Sequence, residues 1–307
     1  MGFAPTPESS VVALGRGGVT LFFLLSGYLI FKSVEAEPGP VFALRRFFKV
    51  MPSYWLNILV ILALDLALTT FPHMGWASYA ADAAVLTDIL GTAPVSGVFW
   101  TLFVEIKFYF FILLQYALLG RRFSLVVVVG LLVIEGAVWL WRGHGSTTLA
   151  YFPVFYIGIE LALAESAQWS RVHILRVVGL TAVLAASLVL FLDRLKWASA
   201  GYLIASVCLF MAFTGWRARN RPLIFLGVTS YSTYLYHSLV MTWVFETFPS
   251  MRSTPLGFFV LVGTMALAVA VGAVMYRLVE VPMVRLGRRL ESSRLIPYIG
   301  RHDRTSR

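Results

Sequence analysis

Phe99-Trp100-Thr101-Leu102-Phe103-Val104-Glu105-Ile106-Lys107-Phe108-Tyr109-Phe110-Phe111 opens an apolar run that continues to Leu119. Only Glu105 and Lys107 carry charge in that run. A helix of about 20 apolar residues is long enough to cross a bilayer. An ionisable group in hydrocarbon is expensive and marks a functional site by default. Residues three and four apart share a helix face, so Thr101, Glu105, Phe108 and Tyr109 line one side. Lys107 lies two positions from Glu105, roughly 200° round at 3.6 residues per turn. The two charges do not neutralise each other along the helix, so each needs a partner from another element. The competing reading makes both of them structural pins between helices.

The rest of the chain is of the same kind. Of its 307 residues, 59% are hydrophobic and 13% are charged, against about 25% charged in soluble domains. The expected fold is all-α: one polytopic membrane helix bundle, a single domain over residues 1–307. The net charge of +10 invites a nucleic-acid reading. The arginines, however, sit in short loops between apolar runs, where they orient a membrane protein. The expected surroundings are therefore a lipid bilayer, with no nucleic-acid partner. Cys208 is the single cysteine, so no intrachain disulfide forms. His73, His144, His173, His237 and His302 have no cysteine or carboxylate at ligand spacing, and no metal site is expected. Residues 1–18 lack a basic start and are broken by Glu8 and Arg16, unlike a signal peptide.

Nine apolar segments are candidates to span: Val19–Phe31 (extendable back to Val11), Met51–Phe71, Val98–Leu119, Phe123–Trp141, Leu149–Ala164, Val172–Leu192, Ala198–Trp216, Leu223–Phe245 and Leu256–Val279. Tyr79–Leu90 is apolar but holds Asp82 and Asp88, and reads as an interfacial or re-entrant piece. Basic residues alternate between loops. Lys32, Arg45, Arg46 and Lys49 fall in one loop, Arg121 and Arg122 two loops on, then Arg171 and Arg176, then Arg217, Arg219 and Arg221. The intervening loops hold only Arg16, Arg142, Arg194 with Lys196, and Arg252. The positive-inside rule then puts the N-terminus outside and the C-terminus, a basic tail over 285–307, in the cytoplasm. Residues 1–17 read as an external, loop-like start. A chain that starts this way reads like one missing its first helix.

Five stretches together resemble the acyltransferase 3 family of integral membrane acyltransferases. Gly18–Ile30 (GVTLFFLLSGYLI) is similar to the family's second helix. Arg45–Trp55 (RRFFKVMPSYW) is similar to its basic juxtamembrane stretch. Trp100–Tyr109 (WTLFVEIKFY) matches its Trp-Thr/Ser-Leu-x-x-Glu-x-x-Phe-Tyr motif. Leu226–His237 (LGVTSYSTYLYH) resembles the late Gly-x-x-Ser-Tyr-Ser-x-Tyr-Leu-x-His motif, and Tyr276–Pro282 (YRLVEVP) fits a terminal pattern. Each motif alone is weak; the five in order over residues 18–282 are specific.

The resemblance implies transfer of an acyl group, often acetyl, from acyl-CoA to a hydroxyl of a carbohydrate or other extracytoplasmic acceptor. It also implies an integral protein of the bacterial inner membrane, with acyl-CoA as donor substrate and no permanently bound cofactor. One departure stands out. The family's first helix carries a basic residue and, about three helical turns later at 3.6 residues per turn, an essential histidine. No histidine here has Arg or Lys at that spacing. The chain on its own is therefore expected to be weakly active or inactive, a truncated homologue.

Acyl transfer needs a base for the hydroxyl proton, donors for the oxyanion and positive charge for the CoA phosphates. The expected catalytic groups are Glu105, Tyr109 and His237. The expected substrate contacts are Arg45 and Arg46, with Lys49, for phosphate, and Ser26, Trp100, Ser230 and Tyr231. Bland readings stand beside them. The basic residues also serve positive-inside orientation, Ser26 and Gly27 close helix packing, and His237 a hydrogen bond to a neighbouring helix. Glu280 reads as a structural ion-pair partner at a helix end. There is no Gly-x-Ser-x-Gly elbow and no phosphate-cradling Gly-x-x-x-x-Gly-Lys loop. The rival class is a transporter or flippase with Glu105 and Lys107 along its path, though no inverted repeat is evident.

Overall fold

The computed structural model describes residues 10–67, 74–119, 125–142, 147–191, 196–213, 220–248 and 257–292. Twelve α-helices run in order: α1 Ser10–Ala36, α2 Gly39–Ala67, α3 Trp76–Ala83, α4 Thr87–Leu90, α5 Phe99–Leu119, α6 Leu125–Arg142, α7 Thr147–Ser166, α8 Arg171–Phe191, α9 Lys196–Phe213, α10 Arg221–Thr247, α11 Gly257–Met275 and α12 Val281–Ser292. A π-helical turn, Tyr276–Glu280, joins the last two. Among the described residues there is no strand. Six stretches are long and apolar enough to cross a membrane: Gly17–Ala36, Gly39–Ala67, Phe99–Leu119, Thr148–Ser166, Arg171–Val189 and Phe259–Ser292. Val127–Trp141 and Ala198–Phe213 are shorter apolar helices. The chain is a polytopic helical membrane protein.

Two sequence expectations need correction. The first helix starts at Ser10, so the loop-like start does not extend to residue 17. Val11, Val12, Ala13 and Leu14 follow Pro7 with no further breaker, and the helix propagates back through them. The start of the basic tail lies on α12, which carries Arg285, Arg288 and Arg289. Glu280 does not stand at a helix end but inside the π-turn, because Pro282 is tolerated in the first turn of α12. Tyr79–Leu90 divides into parts of α3 and α4, separated by Val85 at φ 58°. His73, His144, His302, Arg121, Arg122, Arg194, Arg217, Arg219, Arg252 and the arginines from Arg294 onward lie outside the described residues.

The helices form two compact units. The first holds α1, α5 from Val104 onward, and α6 to α9. There α1 packs on α7 and α9, and α8 lies against α7 and α9. The α1–α7 contact is set by glycine. A Cβ on Gly27 would lie 2.1 Å from the Phe155 carbonyl oxygen, and one on Gly158 would lie 2.1 Å from that of Leu24. Lipid supplies no hydrophobic drive between helices, so such close backbone approach is what holds them.

The directions of α1, α5 and α7 follow from paired contacts. Ser26 meets Glu105 and Glu35 meets Tyr116, so α1 and α5 run parallel. Lys107 meets Thr148, Phe111 meets Phe152 and Gln115 meets Tyr156, one turn apart each time, so α5 and α7 are also parallel.

The second unit holds α2 to α4, the first turn of α5, and α10 to α12. In it α10 packs on α11 and α2, and α12 lies along α2. Gly272 of α11 lets Thr233 of α10 approach, and Gly287 of α12 sits against the Phe48 side chain. The Arg45 guanidinium makes a two-point pair with the Glu291 carboxylate, Nε to Oε2 at 2.9 Å and Nη2 to Oε1 at 2.8 Å.

Candidate active site

In the first unit the candidate centre is Glu105, with only 7% of its surface exposed. Its Oε1 accepts hydrogen bonds from Ser26 Oγ at 3.1 Å and Tyr109 OH at 2.7 Å. Tyr109 is in place because it lies four residues along the same helix; Ser26 is delivered by the Gly27–Gly158 crossing next to it. Hydrogen bonds to a charged acceptor are the strong ones, and two donors converge here on one oxygen. The setting is dry because it is aromatic. Phe108 stacks on Phe155 at 4.1 Å, with Phe152 and Tyr156 edge-on to it. Lys107 turns away, as its angle on the helix requires, and donates to Thr148 Oγ1 at 3.5 Å. Ser26, Glu105 and Tyr109 thus come together.

The same unit holds polar contacts that the sequence does not announce. Lys32 pairs with Glu165 at 2.5 Å, the Tyr28 hydroxyl bonds to the same carboxylate, and Lys32 lies over the Tyr28 ring. Tyr116 donates to Glu35 and Tyr156 to Gln115. Buried Glu160 faces His173 Nδ1 at 3.3 Å. The offset of 41 shared by the Lys107–Thr148 and Gln115–Tyr156 pairs appears only after folding.

In the second unit the candidate centre is His237. Its Nδ1 bonds to the carbonyl oxygen of Tyr234. A carbonyl only accepts, so Nδ1 carries the hydrogen, and the neutral ring then has its lone pair on Nε2. Tyr234 is itself held, by Thr101 Oγ1 at 2.5 Å and by the Val98 carbonyl at 3.0 Å. The neighbouring Ser238 shares a hydrogen bond with Ser96 at 2.7 Å.

The other expected contacts have structural partners. Tyr231 donates to the Val50 carbonyl, and exposed Ser230 bonds back to that of Gly227. Trp100 is half-buried in the first turn of α5. Arg45 is engaged by Glu291, and Arg46 lies over the Phe42 ring at 5.3 Å. Buried Glu280 accepts from Ser232 Oγ at 2.7 Å.

Two carboxylates of this unit organise the chain between α2 and α5. Asp65 accepts from Tyr79 OH at 2.8 Å and the Met74 N–H at 3.2 Å. Asp82, fully buried, accepts from Thr87 and from the Val95 N–H at 2.7 Å. Burial pushes the Asp82 carboxyl above its ordinary value, and those two hydrogen bonds pull it partly back. Burial, then the bond to Asp65, pushes the Tyr79 phenol up. Among the described residues no three His, Cys, Asp or Glu side chains gather as metal ligands.

Comparison with known proteins gives these geometries a family. An acyltransferase domain model matches residues 2–275. Nodulation protein 10 of Rhizobium leguminosarum bv. viciae is 25% identical over 338 residues, spanning 91% of this chain and 84% of that protein. No solved structure matches. With most of its length matched by the family model, this chain belongs to the acyltransferase 3 family of membrane acyltransferases.

Proposed function

We propose that the protein moves an acyl group, acetyl in the first instance, from acyl-CoA to a hydroxyl of a carbohydrate or other acceptor outside the cytoplasm. We place it in the bacterial inner membrane, with the basic loops and the C-terminus inside. The observation that carries the reading is buried Glu105, on the family's motif, with Ser26 and Tyr109 both donating to it. A buried carboxylate with fixed donors is built to anchor a polar group of a reacting substrate.

The chemistry balances without a cofactor. The acceptor oxygen attacks the thioester carbonyl carbon. His237 Nε2 takes the hydroxyl proton, the C–S bond breaks, and that proton passes to the thiolate to give free CoA. Arg46 and Lys49 supply positive charge for the donor phosphates.

The test is reconstitution with radiolabelled acetyl-CoA and candidate acceptors. Label on an acceptor supports the reading. Acceptor movement without label means a transporter, and neither result means an inactive homologue.

A further inference from the structure

Within α2, one turn is built unlike the rest. Asn57 has no exposed surface, and neither its Oδ1 nor its Nδ2 has a hydrogen-bond partner among the described residues. Ser53 lies four residues earlier on the same side, 1% exposed, and its Oγ is also without a partner. The Tyr236 hydroxyl reaches the Ser53 carbonyl at 3.4 Å. That carbonyl also takes the Asn57 N–H in the helix ladder. A carboxamide, a serine hydroxyl and a phenol therefore collect at one turn.

A buried amide with no partner is costly, and an apolar side chain of the same size would serve packing better. Gln115 has one such amide atom; Asn57 has both. Groups that weaken the fold without serving it belong to function.

We propose that Ser53 and Asn57 form a subsite for the pantetheine arm of the acyl donor, Nδ2 donating to an amide carbonyl and Oδ1 accepting an amide N–H. This rests on the acyl-CoA reading above. The chemistry selects a ligand that both donates and accepts, and the arm carries two secondary amides between its phosphates and its thioester. The placement also fits. Asn57 follows Arg46 and Lys49 by eleven and eight positions on α2, about 16 and 12 Å along the helix at 1.5 Å per residue. One helix thus offers positive charge at one level and amide-pairing groups at a second, in the order that phosphates and amides occur along the donor.

The test uses the purified full chain in lipid nanodiscs, with acetyl-CoA and adenosine 3′,5′-bisphosphate, which lacks the arm, as probes. Asn57→Leu is expected to weaken acetyl-CoA binding about tenfold, the scale of one or two lost hydrogen bonds. It should leave the bisphosphate unaffected and the melting temperature of the free protein unchanged or raised. Ser53→Ala, a smaller change, is expected to weaken acetyl-CoA alone by a lesser factor. Failure of the unaltered protein to bind acetyl-CoA would overturn the donor reading itself. Normal binding by both variants with a lowered melting temperature would overturn the subsite and make the pair a structural, water-bridged one. Equal loss for both probes would overturn it too.

Discussion

Gly27 of α1 and Phe155 of α7 meet backbone to backbone, with room for a hydrogen but none for a methyl group. The contact fixes Ser26, the next residue, against Glu105. Gly27→Ala must push the helices apart, since the obstructing atom is a carbonyl that cannot rotate away. Overpacking of this kind costs about 1–3 kcal/mol or more. The expected outcome is a marked fall in folded yield and melting temperature, with the same result for Gly158→Ala. Gly179→Ala on α8, where nothing lies within 4 Å, is the control. It should be neutral or stabilising by about 1 kcal/mol through helix propensity.

Asp82 gives the fold a pH dependence whose sign can be worked out. Its folded pKa is raised above the ordinary 3.8, chiefly by burial. The native state therefore holds the proton more tightly than the unfolded chain. That advantage is fully present below 3.8 and is lost as pH rises through the raised folded value. Melting temperature is expected to decline over that window, and Asp82→Asn should flatten that part of the profile. An unchanged slope in the variant would assign the dependence to other groups.

Much of this was legible in the sequence, for identifiable reasons. Apolar runs bounded by arginine mark membrane helices because the bilayer enforces length and polarity together. The angle between Glu105 and Lys107 followed from helix geometry alone, and Lys107 duly turns to Thr148. The partners did not follow. Ser26 and Glu105 are 79 positions apart, and nothing local announces that α1 and α5 run side by side. Gly158 looked like any glycine in an apolar run until its neighbour's backbone was known. Asp82 read as one of two charges in an interfacial piece, and nothing in the sequence singled out Asp65, yet both accept hydrogen bonds from the chain that follows α2. Arg45 illustrates the opposite hazard. A basic residue near the membrane suggests a phosphate, but Glu291, distant in sequence, already holds it.

Orientation in the membrane rests on loop charge, and direct labelling checks it. A reporter fused after Arg307 is expected to behave as cytoplasmic, and one inserted in Met74–Ser78 as external. The parallel course of α1, α5 and α7 is what the expectation of nine spanning segments gives its first, third and fifth. The reverse result for either reporter would remove the proposed assignment of acyl-CoA to the Arg46 and Lys49 side.

Glu105 is the residue where scaffold and reaction make opposite predictions. As a helix pin, its loss should cost folded protein. As part of the reaction chamber, its loss should cost turnover. Glu105→Gln separates the two because the amide keeps the shape and its Oε1 still accepts from Tyr109 and Ser26. The expected outcome is near-normal folded yield with acyl transfer down about a hundredfold, the usual scale for lost acid–base or charge assistance. Tyr109→Phe and Ser26→Ala each remove one donor to that carboxylate. Each should lower transfer by about tenfold, on the scale of a hydrogen bond to a charged group. Combined with Glu105→Gln, either should add little, because the charge they serve is already gone. Lys107→Met is the contrast: it breaks a contact to Thr148 on the other side of the helix, and its effect should fall on yield rather than on turnover. Unchanged transfer in Glu105→Gln, or a loss matched by misfolding, would return Glu105 to the scaffold.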